Sequence, residues 1–298
     1  MKSSLTAVCS FSAVALVCGL AVAQPPASTT GKATYNTAKA KLMSGHQIFS
    51  FTQSRPDPAA YCESAKHYDY TWFEMQHSTL EFRDVEAMIA ACPHSAATPM
   101  IRLPDAQEWH IQHSTDIGAL GVIIPTVDDV ERASSAAMWS RYPPEARRSA
   151  GAGQAAGIWG INGVNYRQTV NDNMLVTLMI ETPTGVANSY DIARVRGIDV
   201  VIIGNNDLSS FSGFAQTDDR YQTLMNTVHD NVKKAGKIFG QANANYAKGN
   251  PLSSDSWMFQ NGPSNDGYVP AGRGGRGGRG GRGRGGADVN APPEGEKP

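Results

Sequence analysis

The chain has 298 residues, 41% hydrophobic and 18% charged, with a formal net charge of −1. That length admits one large β/α domain or two smaller ones. The near-neutral average carries no argument for a charged partner, but it conceals a split: five arginines lie between Arg273 and Arg284, and removing them takes the charge from −1 to −6.

Residues 1–23 read as a signal peptide. Lys2 supplies a short positive region, residues 5–20 are mostly apolar, and Ala21-Val22-Ala23 is a small-x-small cleavage site before Gln24. The apolar stretch is too short for a membrane span, so the mature protein is expected to be exported, periplasmic or secreted. Export leaves Cys62 and Cys92. With Cys62 early in one helix and Cys92 at the end of the next, parallel helices of roughly 12 residues separate them by about 18 Å. A disulfide tolerates a Cα separation of roughly 7 Å at most, so two buried free thiols are expected.

Residues 24–35 form a Pro/Ser/Thr-rich linker and 36–42 a short helix. Strands and helices then alternate: strand 46–51, helix 59–66, strand 70–74, amphipathic helix 80–91, strand 99–103, helix 108–117, strand 120–124 and helix 127–140. Residues 141–173 are a long Gly-rich irregular insertion, a length that usually signals a role. An apolar run from Met174 ends at Glu181-Thr182, a helix covers 183–194, and a second run from Asp199 ends at Asp207-Leu208-Ser209. Helix 220–235, strand 237–241 and a weak strand 256–260 close the series. Eight β units alternating with helices predict a (β/α)8 TIM barrel over residues 36–267, with its active site on the loops after the strands. No glycine-rich dinucleotide fingerprint follows the first strand, which argues against an open doubly wound sheet. Residues 268–298, with an Arg-Gly-Gly repeat at 271–286, are too glycine-rich to bury a core and are expected to be a disordered tail.

Two buried-strand runs that end in acids place Glu181 and Asp207 at the same end of consecutive parallel strands, a common way to hold a divalent cation. Other strand ends carry Glu74-Met75-Gln76-His77, Arg102-Leu103-Pro104 and Ile180-Glu181-Thr182, and Gly204-Asn205-Asn206-Asp207-Leu208-Ser209 follows the sixth strand. The insertion contains Arg141-Tyr142-Pro143-Pro144, then Arg148 and Gly151. In order and spacing this set resembles the HpcH/HpaI aldolase family of metal-dependent class II pyruvate aldolases, such as 4-hydroxy-2-oxoheptanedioate aldolase, in the citrate lyase superfamily. The similarity spans roughly residues 36–245. It departs at Glu74, where the family has Asp, at Gln76, where it has Glu, and at Met179, where a polar residue is frequent.

The resemblance implies a carbon–carbon lyase cleaving a 4-hydroxy-2-oxo acid to pyruvate and an aldehyde through a metal-stabilised enolate. Glu181 and Asp207 would be the ligands of Mg2+ or Mn2+, with no organic cofactor. His77 would be the acid/base, oriented by Glu74, and Arg102 would donate to the keto or enolate oxygen. Asn206, Asp207 and Arg148 join Arg102 as candidate substrate-binding residues. The implied partners are the small-molecule 2-oxo acid and aldehyde, and a homo-oligomer is left open. The tail suggests loose polyanion contacts rather than specific nucleic-acid binding. The alternative is a catalytically altered exported barrel that binds an anionic ligand or polymer, with the tail as an adhesive arm.

Overall fold

A computed structural model describes residues 33–151, 153–161, 165–243 and 251–270. The expected signal peptide, most of the linker and the Arg-Gly tail lie outside the described residues. Eight parallel strands close into a barrel: β1 (Ile48–Gln53), β2 (Tyr70–Glu74), β3 (Thr98–Arg102), β4 (Gly121–Ile124), β5 (Leu175–Ile180), β6 (Val200–Ile203), β7 (Ile238–Asn243) and β8 (Met258–Asn261). β1 pairs with both β2 and β8, so the sheet has no free edge. The expected (β/α)8 barrel is the fold observed.

Side chains alternate across each strand. Tyr70, Trp72, Met100, Leu175, Met179 and Met258 belong to the core inside the barrel, whereas Phe73, Ile101, Val122, Val176 and Val201 pack outward against the helices. Helix α1 (Thr37–Met43) closes the N-terminal end, where Ala38 and Leu42 join the interior core. Its cap, Asn36, donates to Leu120 and Asn173 carbonyls, tying the helix to the starts of β4 and β5.

The outer helices are α2 (Pro58–Ser64), α3 (Phe82–Ala91), α4 (Glu108–Asp116), α5 (Val130–Ser140), α6 (Gln154–Trp159), α7 (Tyr166–Asn173), α8 (Pro183–Arg194), α9 (Asn205–Ser212) and α10 (Asp219–Lys234). Their starts follow cap chemistry. Asp57 accepts from the Ala60 N–H at 2.9 Å with Pro58 in the first turn of α2, and Asp129 accepts from the Arg132 N–H at 2.7 Å ahead of α5. No helix among the described residues is long and apolar enough to cross a membrane.

Three sequence expectations need correction. Cys62 and Cys92 form a disulfide, with Cα atoms 5.7 Å apart. Helix α2 has only seven residues, so Cys62 lies near its C-terminal end, and Cys92 follows the last residue of α3. Both helices end on the same side of the barrel, and the expected separation along the helix axes vanishes. Secondly, the insertion is not irregular throughout: it contains α6 and α7, and it joins the end of α5 to the start of β5, at the N-terminal end of the barrel. Thirdly, β6 stops at Ile203, and Asp207 lies in the first turn of α9 rather than on the strand.

Beyond β8 the chain stays packed against the barrel through Tyr268. The Asn265 N–H donates to the His67 carbonyl at 2.8 Å, Asp266 Oδ2 meets His67 Nδ1 at 2.6 Å, and the Tyr268 ring stacks on His67 at 4.0 Å.

Candidate active site

Glu74 and Arg102 are register partners at the C-terminal ends of β2 and β3, both on the inward face. Arg102 Nε and Nη2 each lie 2.7 Å from Glu74 Oε2, which also accepts from the Trp72 indole N–H at 3.0 Å. Glu74 Oε1 accepts the backbone N–H groups of Gln76 and His77 at 2.9 and 3.0 Å. One buried carboxylate thus orients the Arg102 guanidinium through a charge-assisted fork and pins the loop that carries His77. The expected contact between Glu74 and the His77 ring is absent among the hydrogen bonds of the described residues; Glu74 holds the His77 backbone instead. Arg102 also lies over the Trp72 ring, 5.6 Å from its centroid, and its Nη1 is 3.9 Å from the Met179 sulfur.

Glu181 follows β5 and is 1% exposed. Its Oε2 accepts from both the backbone N–H and the hydroxyl of Thr126, at 2.6 and 3.1 Å. Gly204 supplies the space: a Cβ there would lie 2.1 Å from Glu181 Oε1. Burial holds the Glu181 carboxyl above the usual carboxylate range; Asp207 pushes it the same way, while the Thr126 hydrogen bonds and the Arg102 charge oppose the rise. Thr182, next in sequence, caps α8 by accepting from the Gly185 N–H at 3.0 Å.

His77, Arg102, Met179, Glu181, Asn206 and Asp207 share one cavity of about 310 Å3 at the C-terminal end of the barrel, closed on the far side by Ala242, Gln260 and Asn261. His77 and Asn206 are exposed, and Arg102 and Glu181 are buried. Arg148 is not brought into this cavity. It lies in the insertion at the opposite end, its side chain 0% exposed, paired with Asp116 at 2.6 Å and 4.3 Å from the Tyr142 ring centroid. A larger groove of about 760 Å3 also runs across that opposite end. Its Arg141 is engaged by Asp199 at 2.7 Å and its Lys39 by the Met174 carbonyl, and it holds none of the strand-end groups. Sequence reading missed Thr126, Trp72, Gln260 and Asn261. Only the two-residue strand period could have flagged Trp72 and Gln260.

The donor set fits a divalent metal. Among the described residues, neither Glu181 nor Asp207 is paired with a cation within salt-bridge distance; the Thr126 hydrogen bonds and the more distant Arg102 charge only partly offset the burial of Glu181 beside Asp207. All their donors are hard oxygens, which suit Mg2+ or Mn2+. No third His, Cys, Asp or Glu joins them in a cluster among the described residues.

The family model "HpcH/HpaI aldolase/citrate lyase" matches residues 49–246, about two thirds of the sequence. The chain belongs to this family. As a member of the HpcH/HpaI family it falls among the lyases, in keeping with its named relatives. A hydroxypyruvate/pyruvate aldolase of Roseobacter denitrificans is 31% identical over 214 residues, covering 70% of this chain and 82% of the relative. A 2-keto-3-deoxy-L-rhamnonate aldolase of Shigella sonnei is 31% identical over 209 residues, covering 69% and 78%. An HpcH/HpaI aldolase from Desulfitobacterium hafniense has the same fold, with a TM-score of 0.69 at 23% identity over 75% of this chain and 90% of that one.

Proposed function

We propose that this HpcH/HpaI family protein is a divalent-metal-dependent lyase that cleaves a 4-hydroxy-2-oxo acid to pyruvate and an aldehyde. The observation that carries the reading is the meeting of Glu181 and Asp207 with Arg102 and His77 in one cavity. Mg2+ or Mn2+, held by the two carboxylates, would supply Lewis-acid stabilisation of negative charge on the 2-oxo group.

The chain's own groups supply the rest. No side chain caps the start of α9, so backbone N–H groups near Asn206 and Asp207 are suited to the substrate carboxylate. Arg102, prealigned by Glu74, donates to the 2-oxo oxygen as charge develops there. His77 takes the proton of the C4 hydroxyl. The C3–C4 bond then breaks, C4 leaves as the aldehyde carbonyl, and the bonding pair passes to the three-carbon fragment as its enolate. Protonation at C3, by His77 returning its proton, gives pyruvate.

Release of pyruvate from a panel of 4-hydroxy-2-oxo acids, with and without added Mg2+ or Mn2+, tests the reading. Activity should require metal and vanish when Glu181 and Asp207 are both replaced by Ala. Equal activity in that double variant would overturn the ligand assignment. We also read residues 1–23 as a signal peptide; the Cys62–Cys92 disulfide supports an oxidising compartment. A mature protein beginning at Gln24, found by mass spectrometry outside the cytoplasm, is the expected result.

A further inference from the structure

A groove on the outside of the barrel takes no part in the strand-end chemistry. It has a volume of about 570 Å3 and lies between α4 and α5, a size usual for a small-ligand site. An indole stands on each helix: Trp109 of α4, 50% exposed, and Trp139 of α5, half-buried. Both rings are backed by the protein. The Trp109 ring lies against His110, with centroids 3.6 Å apart, and its indole N–H donates to Gln107 Oε1 at 3.2 Å. His110 is fixed in turn by Asp105, whose Oδ1 lies 2.6 Å from His110 Nδ1. The Arg147 guanidinium lies over the Trp139 ring, 5.8 Å from its centroid.

Much of the remaining lining is polar without being basic. Glu108, Gln112, His113 and Ser135 line the groove, and their side chains make no hydrogen bond or ion pair among the described residues. Together they offer an amide with two donors and an acceptor, a hydroxyl and an imidazole that act in both directions, and a carboxylate that accepts. Among the described residues lining the groove there is no Lys or Arg, so an anionic ligand would meet the Glu108 charge uncompensated. A purely apolar ligand would strip water from four polar groups and return no hydrogen bond. A proline-rich peptide, another partner of aromatic grooves, presents carbonyl acceptors and few donors, which leaves Glu108 unmatched. A sugar ring answers both parts of the lining. Its C–H face packs on an indole, and its hydroxyls donate as well as accept.

We infer that the groove between α4 and α5 binds a neutral oligosaccharide, with Trp109 and Trp139 as stacking platforms and Glu108, Gln112, His113 and Ser135 as partners of its hydroxyls. The groove shares no lining residue with the strand-end cavity, and the inference does not depend on the lyase reading.

The test titrates the full-length protein with neutral hexasaccharides of glucose, mannose, galactose, xylose and N-acetylglucosamine, read by calorimetry and tryptophan fluorescence. At least one should bind with a Kd below about 1 mM and shift the tryptophan emission. Trp109→Ala should weaken that binding by at least about 10-fold and leave the Tm close to the parent's, since half of the side chain already faces solvent. Ser135→Trp keeps both indoles, fills the groove and should abolish binding; it decides the matter if the alanine variant fails to fold. A parent that binds none of these sugars overturns the inference. So does sugar binding that either substitution leaves unchanged, or tighter binding of decaproline or heparin than of any sugar. A concentration-dependent dimer that Trp109→Ala dissociates would give the groove to a second copy of the chain and overturn it as well.

Discussion

Thr126 donates twice to a single oxygen of Glu181, through its backbone N–H at 2.6 Å and its hydroxyl at 3.1 Å. It does so from a left-handed backbone conformation, φ +49°, that a β-branched residue seldom adopts. Strain of this kind persists where the surroundings fix it and clusters at functional sites. Thr126 therefore acts as a positioning residue for the proposed metal ligand. Thr126→Val removes the hydroxyl bond at nearly constant volume and should weaken Mn2+ binding by about 10–100-fold. Thr126→Ser keeps the hydroxyl and should bind Mn2+ close to the parent. Calorimetric titration of both variants separates the hydroxyl's contribution from the backbone's.

Glu181 without a cation is an ionisable group held unfavourably. Burial, reinforced by Asp207, raises its proton affinity in the folded state above that in the unfolded chain. The folded metal-free protein then binds more protons than the unfolded one, so its stability falls as pH rises from the ordinary carboxylate range through the raised value. Metal reverses the dependence, because proton and cation compete for the same carboxylate. Glu181→Gln should raise the metal-free Tm at neutral pH, by roughly 2–4 °C per kcal/mol relieved, and abolish the Tm increase on adding Mn2+. Thermal melts across pH, with and without Mn2+, check both signs. A metal-free parent that stabilises as pH rises through this range contradicts the assignment.

The barrel was legible because buried parallel strands read as short β-branched runs ending in turn residues, and the runs before Glu181 and after Asp199 show this plainly. The meeting of Glu181, Arg102 and His77 was legible because strand ends in such a barrel converge. What escaped depends on geometry that spacing does not carry. Cys62 and Cys92 pair because α2 is short, which its composition does not announce. Arg148 sits in a segment whose face of the barrel follows from whether it comes before or after a strand; placed ahead of β5, it is at the wrong end for the cavity. Glu74 lies within reach of both Arg102 and the His77 loop, and only the register, with Glu74 opposite Arg102, shows which groups it holds.

That register carries a prediction of its own. Glu74 and Arg102 are 5% and 7% exposed, so removing the acid leaves a buried guanidinium without its counter-charge. Glu74→Ala should destabilise the protein by about 3–5 kcal/mol, the range for breaking a buried pair from one side. It also frees the His77 loop and Arg102 from their common anchor, so kcat/KM for pyruvate release should fall on the order of 100-fold. Denaturant unfolding and steady-state kinetics on the same preparation measure the two effects. Retention of full activity would show that Arg102 does not depend on Glu74 for its orientation.

The disulfide bears on the same region from outside the barrel. Cys62 and Cys92 join α2 to α3, the helices flanking β2, whose end carries Glu74 and leads to His77. The bridge spans a sequence separation of 30 residues, and closing a loop of that order in the unfolded chain is worth about 2–4 kcal/mol. Replacing both cysteines by Ser should lower stability by that amount while leaving Mn2+ affinity close to the parent, since neither sulfur lines the cavity. A thiol reductant should lower the Tm of the parent toward that of the double variant and leave the variant's unchanged. A reductant-insensitive parent would mean that the two thiols are not joined.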